Sequence, residues 1–125
     1  MLARRPPAWG GGGFGENYNT NHEPIDFEVP PDATGAEVIA FITGHGFNSD
    51  EENCAEFCPH THHFSVNGGE EKIQSNEEAD DWMGCIPQID DGAVPNQYGT
   101  WYLGRGGWCP GLDVAPFRAD VTADL

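Results

Sequence analysis

A single carboxylate, Glu56, stands between two cysteines in the run Cys54-Ala-Glu-Phe-Cys58, and Pro59-His-Thr-His-His63 follows at once. A carboxylate in a fixed position can orient or activate a water for attack on an acyl or glycosyl centre. In an extended strand, residues four apart have Cα atoms about 13 Å from each other, and a disulfide tolerates roughly 4.4–6.8 Å. A Cys54–Cys58 bond therefore requires a tight turn, which would hold Glu56 in one direction. The alternative is a pair of unpaired structural thiols with Glu56 in a solvated loop. On the strand after Cys58, His60 and His62 fall on the same side as Phe64 and Val66, so both point inward. Such a His-x-His pair could share a metal, with His45 or Met83 as further ligands. Equally, the two histidines could hydrogen-bond to backbone or to Glu56 and order the loop. The acidic run Asp50-Glu51-Glu52 lacks the alternating ligand pattern of a dedicated calcium site.

A second dense stretch runs from Pro95 to Gly111, where Trp101, Tyr102 and Trp108 crowd around Arg105 between glycines. Glycines let backbone approach a ligand closely, aromatic faces stack on apolar sugar faces, and a guanidinium donates in a planar fork. The competing reading is a covering loop, tied down by Cys109, whose aromatics pack over the end of a β-sandwich.

The elements that must position these residues are short. Ile25–Val29 alternates apolar and acidic residues, a half-buried strand pattern, and Pro30-Pro31 ends it. Val38–Thr43 is an apolar, β-branched run that reads as a strand buried on both faces. His60–Val66 is a clear strand closed by Asn67-Gly68-Gly69, with a short strand over Lys72–Gln74 after the turn. Glu77, Glu78, Asp80 and Asp81 make a solvated face, residues 87–107 form a long loop, and Ala115–Val121 is the last strand. Residues 1–24, with four consecutive glycines and an Asn-rich stretch, read as a linker or disordered arm. With 17 Gly and 10 Pro and no convincing amphipathic helix, the chain is expected to be an all-β antiparallel sandwich or jelly roll over residues 25–125.

Charge and cysteine usage narrow the function. The 125 residues carry 21 Asp and Glu against 5 Lys and Arg, a net charge of −16. A nucleic-acid partner needs basic side chains to neutralise phosphates, and an anionic membrane surface attracts cations, so both partners are excluded. No apolar run approaches the roughly 18 residues of a membrane-spanning helix. Four cysteines permit three pairings; the simplest alternative to free thiols adds Cys85–Cys109 to Cys54–Cys58. Disulfides would place the protein outside the reducing cytosol, secreted or periplasmic. Met1–Trp9 lacks the apolar stretch of a signal peptide, so a disulfide-bonded chain is expected to be a fragment of a longer precursor.

Ile42-Thr-Gly-His-Gly46, Cys54-Ala-Glu-Phe-Cys58, Thr61-His62 at the head of a strand and Gly104-Arg-Gly-Gly-Trp-Cys-Pro-Gly111 resemble, in order and approximate spacing, the C-terminal domain of the peptide-N-glycosidase F family. The resemblance covers roughly residues 25–121. It implies hydrolysis of the amide between asparagine and the first N-acetylglucosamine of an N-glycan, with a glycopeptide or glycoprotein as substrate and no cofactor. It also implies an eight-stranded jelly roll, Cys54–Cys58 and Cys85–Cys109 disulfides, Glu56 as an active-site glutamate, and Arg105 and Trp108 at the sugar-binding cleft. The family enzyme has two jelly rolls, and its principal catalytic aspartate lies in the N-terminal one. An N-terminal partner domain is therefore expected in a full-length protein. The isolated chain, which also stops short of the family's last strands, is expected to be inactive. Copper-dependent peptidylglycine α-hydroxylating monooxygenases share the fold and look similar at the His-Thr-His-His stretch, which keeps a copper site at His60 and His62 as an alternative. Those enzymes need a later methionine ligand, and no methionine follows Met83. A non-catalytic glycan-binding β-domain is a further alternative.

Overall fold

In a computed structural model the described residues are 24–44, 55–95 and 97–125. Residues 1–23 of the arm expected over 1–24, His45, the acidic run at 50–52 and Cys54 lie outside them. The described residues form four short strands: β1 Glu37–Ala40, β2 Thr61–Phe64, β3 Lys72–Ser75 and β4 Phe117–Asp120. They pair antiparallel as β1 with β4 and β2 with β3. Single turns of 3₁₀ helix, such as Ala55–Phe57 and Glu77–Asp80, make up the other regular structure, so the fold is all-β.

Each pairing has a local cause. In β2–β3, Thr61 stands opposite Ser75 and their hydroxyls lie 3.2 Å apart, while His63 stands opposite Ile73. Asn67 and Gly68 both take positive φ, 51° and 73°, which turns the chain back towards β3. The amide of Gly69 then donates to the carbonyl of Val66 at 2.8 Å. In β1–β4, Glu37 faces Asp120 and Ile39 faces Arg118, and Arg118 reaches Glu37 at 3.1 Å. Thr122 closes this pair: its hydroxyl accepts the amide of Ala36 at 2.9 Å. The two sheets meet where Phe64 of β2 stacks on Phe117 of β4, with ring centroids 5.3 Å apart and an interplanar angle of 19°. Asn67 also donates to the carbonyl of Asp124 at 2.8 Å, fastening the β2–β3 turn to the chain end.

The inward face expected for β2 is correct: His62 and Phe64 are partly buried and Val66 is buried, with Thr61 and His63 exposed. Two strand expectations need correction. Ile25–Val29 forms no strand, and Phe27 and Val29 are exposed, because its alternating pattern finds no partner strand among the described residues. The run Val38–Thr43 is regular only as far as Ala40 and is covered on one face; Phe41 is 70% exposed. Instead of one continuous sandwich, the described residues make two two-stranded sheets joined by long irregular segments.

Those segments contain the core. Cys85, Ala93 and Cys109 form a buried cluster packed by Leu112, and Cys85 and Cys109 are disulfide-bonded. Closing a loop of sequence separation 24 is worth about 3.5 kcal/mol in the chain-entropy account. Close backbone approach fixes the glycines of the 104–107 segment. A Cβ on Gly104 would overlap the carbonyl oxygen of Glu78, and one on Gly107, at φ 85°, would overlap that of Ile42. Gly68 has open space around it and needs glycine only for its φ. Gly104→Ala is therefore expected to cost more than about 2 kcal/mol, and Gly68→Ala about 1 kcal/mol. Urea unfolding under non-reducing conditions measures both, and equal losses would contradict the close-packed position of Gly104.

Candidate active site

The segment 105–108 runs between Gly44, four residues beyond β1, and the Glu56 turn and bonds to both. The amide of Gly44 donates to the carbonyl of Gly106 at 2.7 Å, and the amide of Gly106 donates to the carbonyl of Glu56 at 2.9 Å. Trp108 adds a third tie, its indole Nε1 donating to the carbonyl of Gly44 at 2.7 Å. Glu56 sits in the 3₁₀ turn Ala55–Phe57, which brings Phe57 to the same place. Cys58, the residue after that turn, is buried and disulfide-bonded.

These ties bring the expected pair together. Arg105 Nε lies 3.8 Å from Glu56 Oε1, although the two residues are 49 positions apart in the chain. Both are buried, Glu56 to 8% exposure and Arg105 to 1%. The guanidinium carbon sits 5.0 Å from the ring centroid of Phe57 and 5.0 Å from that of Trp108, so two aromatic rings contact one cation. Its two terminal nitrogens are committed to its own loop. Nη1 donates to the carbonyl of Leu103 at 3.0 Å and, at 3.4 Å, to that of Trp101. Nη2 donates to the carbonyl and the hydroxyl of Thr100 at 2.8 and 2.9 Å. Nε is the donor without a hydrogen bond, and it is the atom nearest Glu56. Burial lowers the Arg105 pKa from its ordinary value, and the charge of Glu56 opposes that shift.

Chemically, the arrangement is a carboxylate held beside a buried cation, with a partly exposed indole next to it. Of the sequence-predicted site residues, Glu56, Arg105 and Trp108 are brought into one cluster. His60 and His62 are partly buried near the head of β2, and the amide of Asn76 donates to the carbonyl of His60 at 3.1 Å. His63 turns outward to Glu71 at 2.9 Å. Among the described residues, no three His, Cys, Asp or Glu side chains gather as a metal-binding group. Two members of the cluster escaped sequence reasoning. Phe57 is adjacent to Glu56 and was legible as a neighbour, but Thr100 contributes through carbonyl and hydroxyl geometry that no motif encodes.

The buried guanidinium gives a direct expectation. An ammonium has no planar fork with which to satisfy the carbonyls of residues 100–103 and two rings together, so Arg105→Lys should lower stability by about 3 kcal/mol or more. Arg118→Lys, at the exposed pair with Glu37, should change it by less than about 1 kcal/mol. Urea midpoints of the two variants test this contrast. A second expectation concerns pH. Burial first, and then the neighbouring His60 and His63, lower the pKa of His62 below 6.5. The folded state thus resists a proton that the unfolded chain accepts, so stability is full above pH 6.5 and falls as the pH drops through the lowered pKa. His62→Gln should flatten that slope in urea midpoints measured across this range, and an unchanged slope would remove His62 as its source.

Comparison with known proteins gives a consistent picture. The family model described as peptide-N-glycosidase F, C terminal, matches residues 14–125. A curated relative, the peptide-N(4)-(N-acetyl-beta-D-glucosaminyl)asparagine amidase F of Elizabethkingia miricola, is 30% identical over 100 residues. That alignment covers 77% of this chain and 26% of the relative, so the chain spans about a quarter of the length of the curated protein it matches. No solved structure matches the chain. The family match covers the Glu56 turn, the 104–111 segment and both ends of the Cys85–Cys109 bridge, and on that ground this chain belongs to the peptide-N-glycosidase F family, as a domain of its C-terminal type.

Proposed function

We propose that this chain is the part of an N-glycan amidase that supplies Glu56 to the site where the asparagine–N-acetylglucosamine amide is hydrolysed. The observation that carries the reading is the placement of Glu56, a carboxylate fixed in a buried turn 3.8 Å from the Arg105 guanidinium and beside Trp108. In amide hydrolysis a water oxygen adds to the carbonyl carbon and the C–N bond breaks. The amine leaves with a proton, here as a glycosylamine, and the asparagine side chain becomes an aspartate. A carboxylate with one orientation can align that water and take its proton. Arg105 has its terminal donors committed to residues 100–103, so it acts as a charge that positions Glu56 and Trp108. Trp108, partly exposed, is the residue of this cluster suited to rest against a sugar ring.

In this reading Glu56 takes the proton of the water, and a separate acid delivers one to the leaving amine. The reading therefore includes a second domain that supplies the other acid–base group, with a glycopeptide or glycoprotein bound between the two. Family membership and the length of the curated relative support that arrangement. The Cys85–Cys109 bridge supports an oxidising compartment, secreted or periplasmic. No cofactor enters the scheme.

Glycopeptide cleavage by the longest natural polypeptide that contains this domain tests the proposal. Glu56→Gln should reduce kcat by at least about 100-fold with KM nearly unchanged, since shape is kept and only the charge is lost. Circular dichroism of the same variant checks that the Arg105 cluster has stayed folded. Wild-type cleavage rates in a folded Glu56→Gln protein, or cleavage by the 125-residue chain alone, would overturn it.

A further inference from the structure

Among the aromatic side chains between Pro95 and Gly111, Tyr98 stands apart. Trp101, Tyr102 and Trp108 are partly buried, and the first two meet edge to face with ring centroids 6.2 Å apart. Tyr98 is wholly exposed, at 106%. Its backbone is unusual too: φ 53° and ψ 36° put a bulky residue in the left-handed region, which glycine enters at far lower cost. The ring recovers none of that cost by burial, so stability alone favours glycine at this position. Strain held at an exposed aromatic points to a contact that the ring makes with a ligand.

The buried cation holds this strain in place. Gly99 follows at φ 84° with open space around it, and the next residue, Thr100, gives both its carbonyl and its hydroxyl to Arg105 Nη2. Thr100 sits at the Nη2 end of the guanidinium, while Glu56 sits 3.8 Å from Nε. Two residues of chain span at most about 7 Å, which leaves the Tyr98 backbone within roughly 20 Å of the Glu56 carboxylate. An extended peptide covers that distance in about six residues. In the amidase reading, on which this inference rests, the reacting amide lies at Glu56 and the first sugar rests against Trp108. The polypeptide that bears the asparagine runs out from the same point. A phenol suits it: the ring face packs on apolar side chains, and the hydroxyl both donates to and accepts from backbone groups. Tyrosine brings this contact area with few rotatable bonds to fix.

We infer that Tyr98 is a specificity-determining residue for the peptide side of the substrate, its ring packing on the polypeptide within about six residues of the linkage asparagine. It takes no part in the bond-breaking step.

NMR on the 125-residue chain with ring-labelled tyrosine tests it, the Tyr98 signal being assigned from its loss in Tyr98→Phe. The probes are a thirteen-residue peptide with N-acetylglucosamine on its central asparagine, a tripeptide with the same centre, and free N-acetylglucosamine. The long glycopeptide should shift the Tyr98 ring saturably, and the tripeptide and the sugar should leave it still. Tyr98→Gly should weaken binding of the long glycopeptide by about fivefold, and Tyr98→Phe, which keeps the ring, should stay within about twofold of wild type. In urea the Tyr98→Gly midpoint should rise as the left-handed strain is released. A ring unmoved by the long glycopeptide, or moved equally by the tripeptide or the sugar, overturns the assignment, and so does a lowered midpoint in Tyr98→Gly. The ring shift is read without catalysis, so it upholds the assignment even where the longer protein cleaves no glycopeptide. Glycopeptide cleavage beside a silent Tyr98 removes the assignment and leaves the amidase reading intact.

Discussion

Burial of the Arg105 guanidinium is the constraint on which the rest of this structure depends. A cation out of water is costly, and the chain offsets that cost with four hydrogen bonds to residues 100–103, two aromatic rings and one carboxylate. Each partner must come to the guanidinium, so each is fixed by it. The loop 100–105 curls around its own side chain, the turn at 55–57 delivers Glu56 and Phe57 to one side, and Trp108 closes another. The hydrogen bonds from Gly44 to Gly106 and from Gly106 to Glu56 then link the stretch that follows β1 to the candidate site through the same segment.

This polar centre matters more here than in most domains because the apolar core is thin. Among the described residues the buried hydrophobic ones are Cys58, Val66, Ala79, Cys85, Ala93, Cys109 and Val121, with no Leu, Ile, Phe or Trp. Arg105 is larger than any of these. A chain whose area burial is so modest needs other constraints, and it has them in the Cys85–Cys109 bridge and the close backbone contacts at Gly104 and Gly107. The stack of Phe64 on Phe117 does for the two sheets what the bridge does for the loops.

For function, the consequence is a division of roles within one cluster. A side chain that holds a scaffold together is poorly placed to move with a substrate, and Arg105 has no terminal donor to offer without breaking the loop it orders. Glu56 has a different position: its carbonyl is structural, accepting the amide of Gly106, while its carboxylate faces an Nε that has no hydrogen bond. The backbone of Glu56 is thus committed to support, while its side chain is left facing the guanidinium.

Local and chemical features were legible in the order of residues alone. Period-2 alternation located β2 and its inward face, Asn67-Gly68 located a turn that needs positive φ, and the cysteine-framed motifs identified the family and the three residues that cluster. The sequence failed where a pattern depends on a partner strand. Ile25–Val29 alternates as well as β2 does, yet a strand exists only when another chain segment takes up its hydrogen bonds. It also could not show that Arg105 is enclosed, because a guanidinium among aromatics and glycines reads alike in a binding loop and in a buried core. The enclosure comes from long-range folding, which curls residues 100–103 until their carbonyls meet the fork and carries Phe57 across 48 positions of chain to face it. Burial is a property of what surrounds a side chain, and those surroundings come from segments far apart in the sequence.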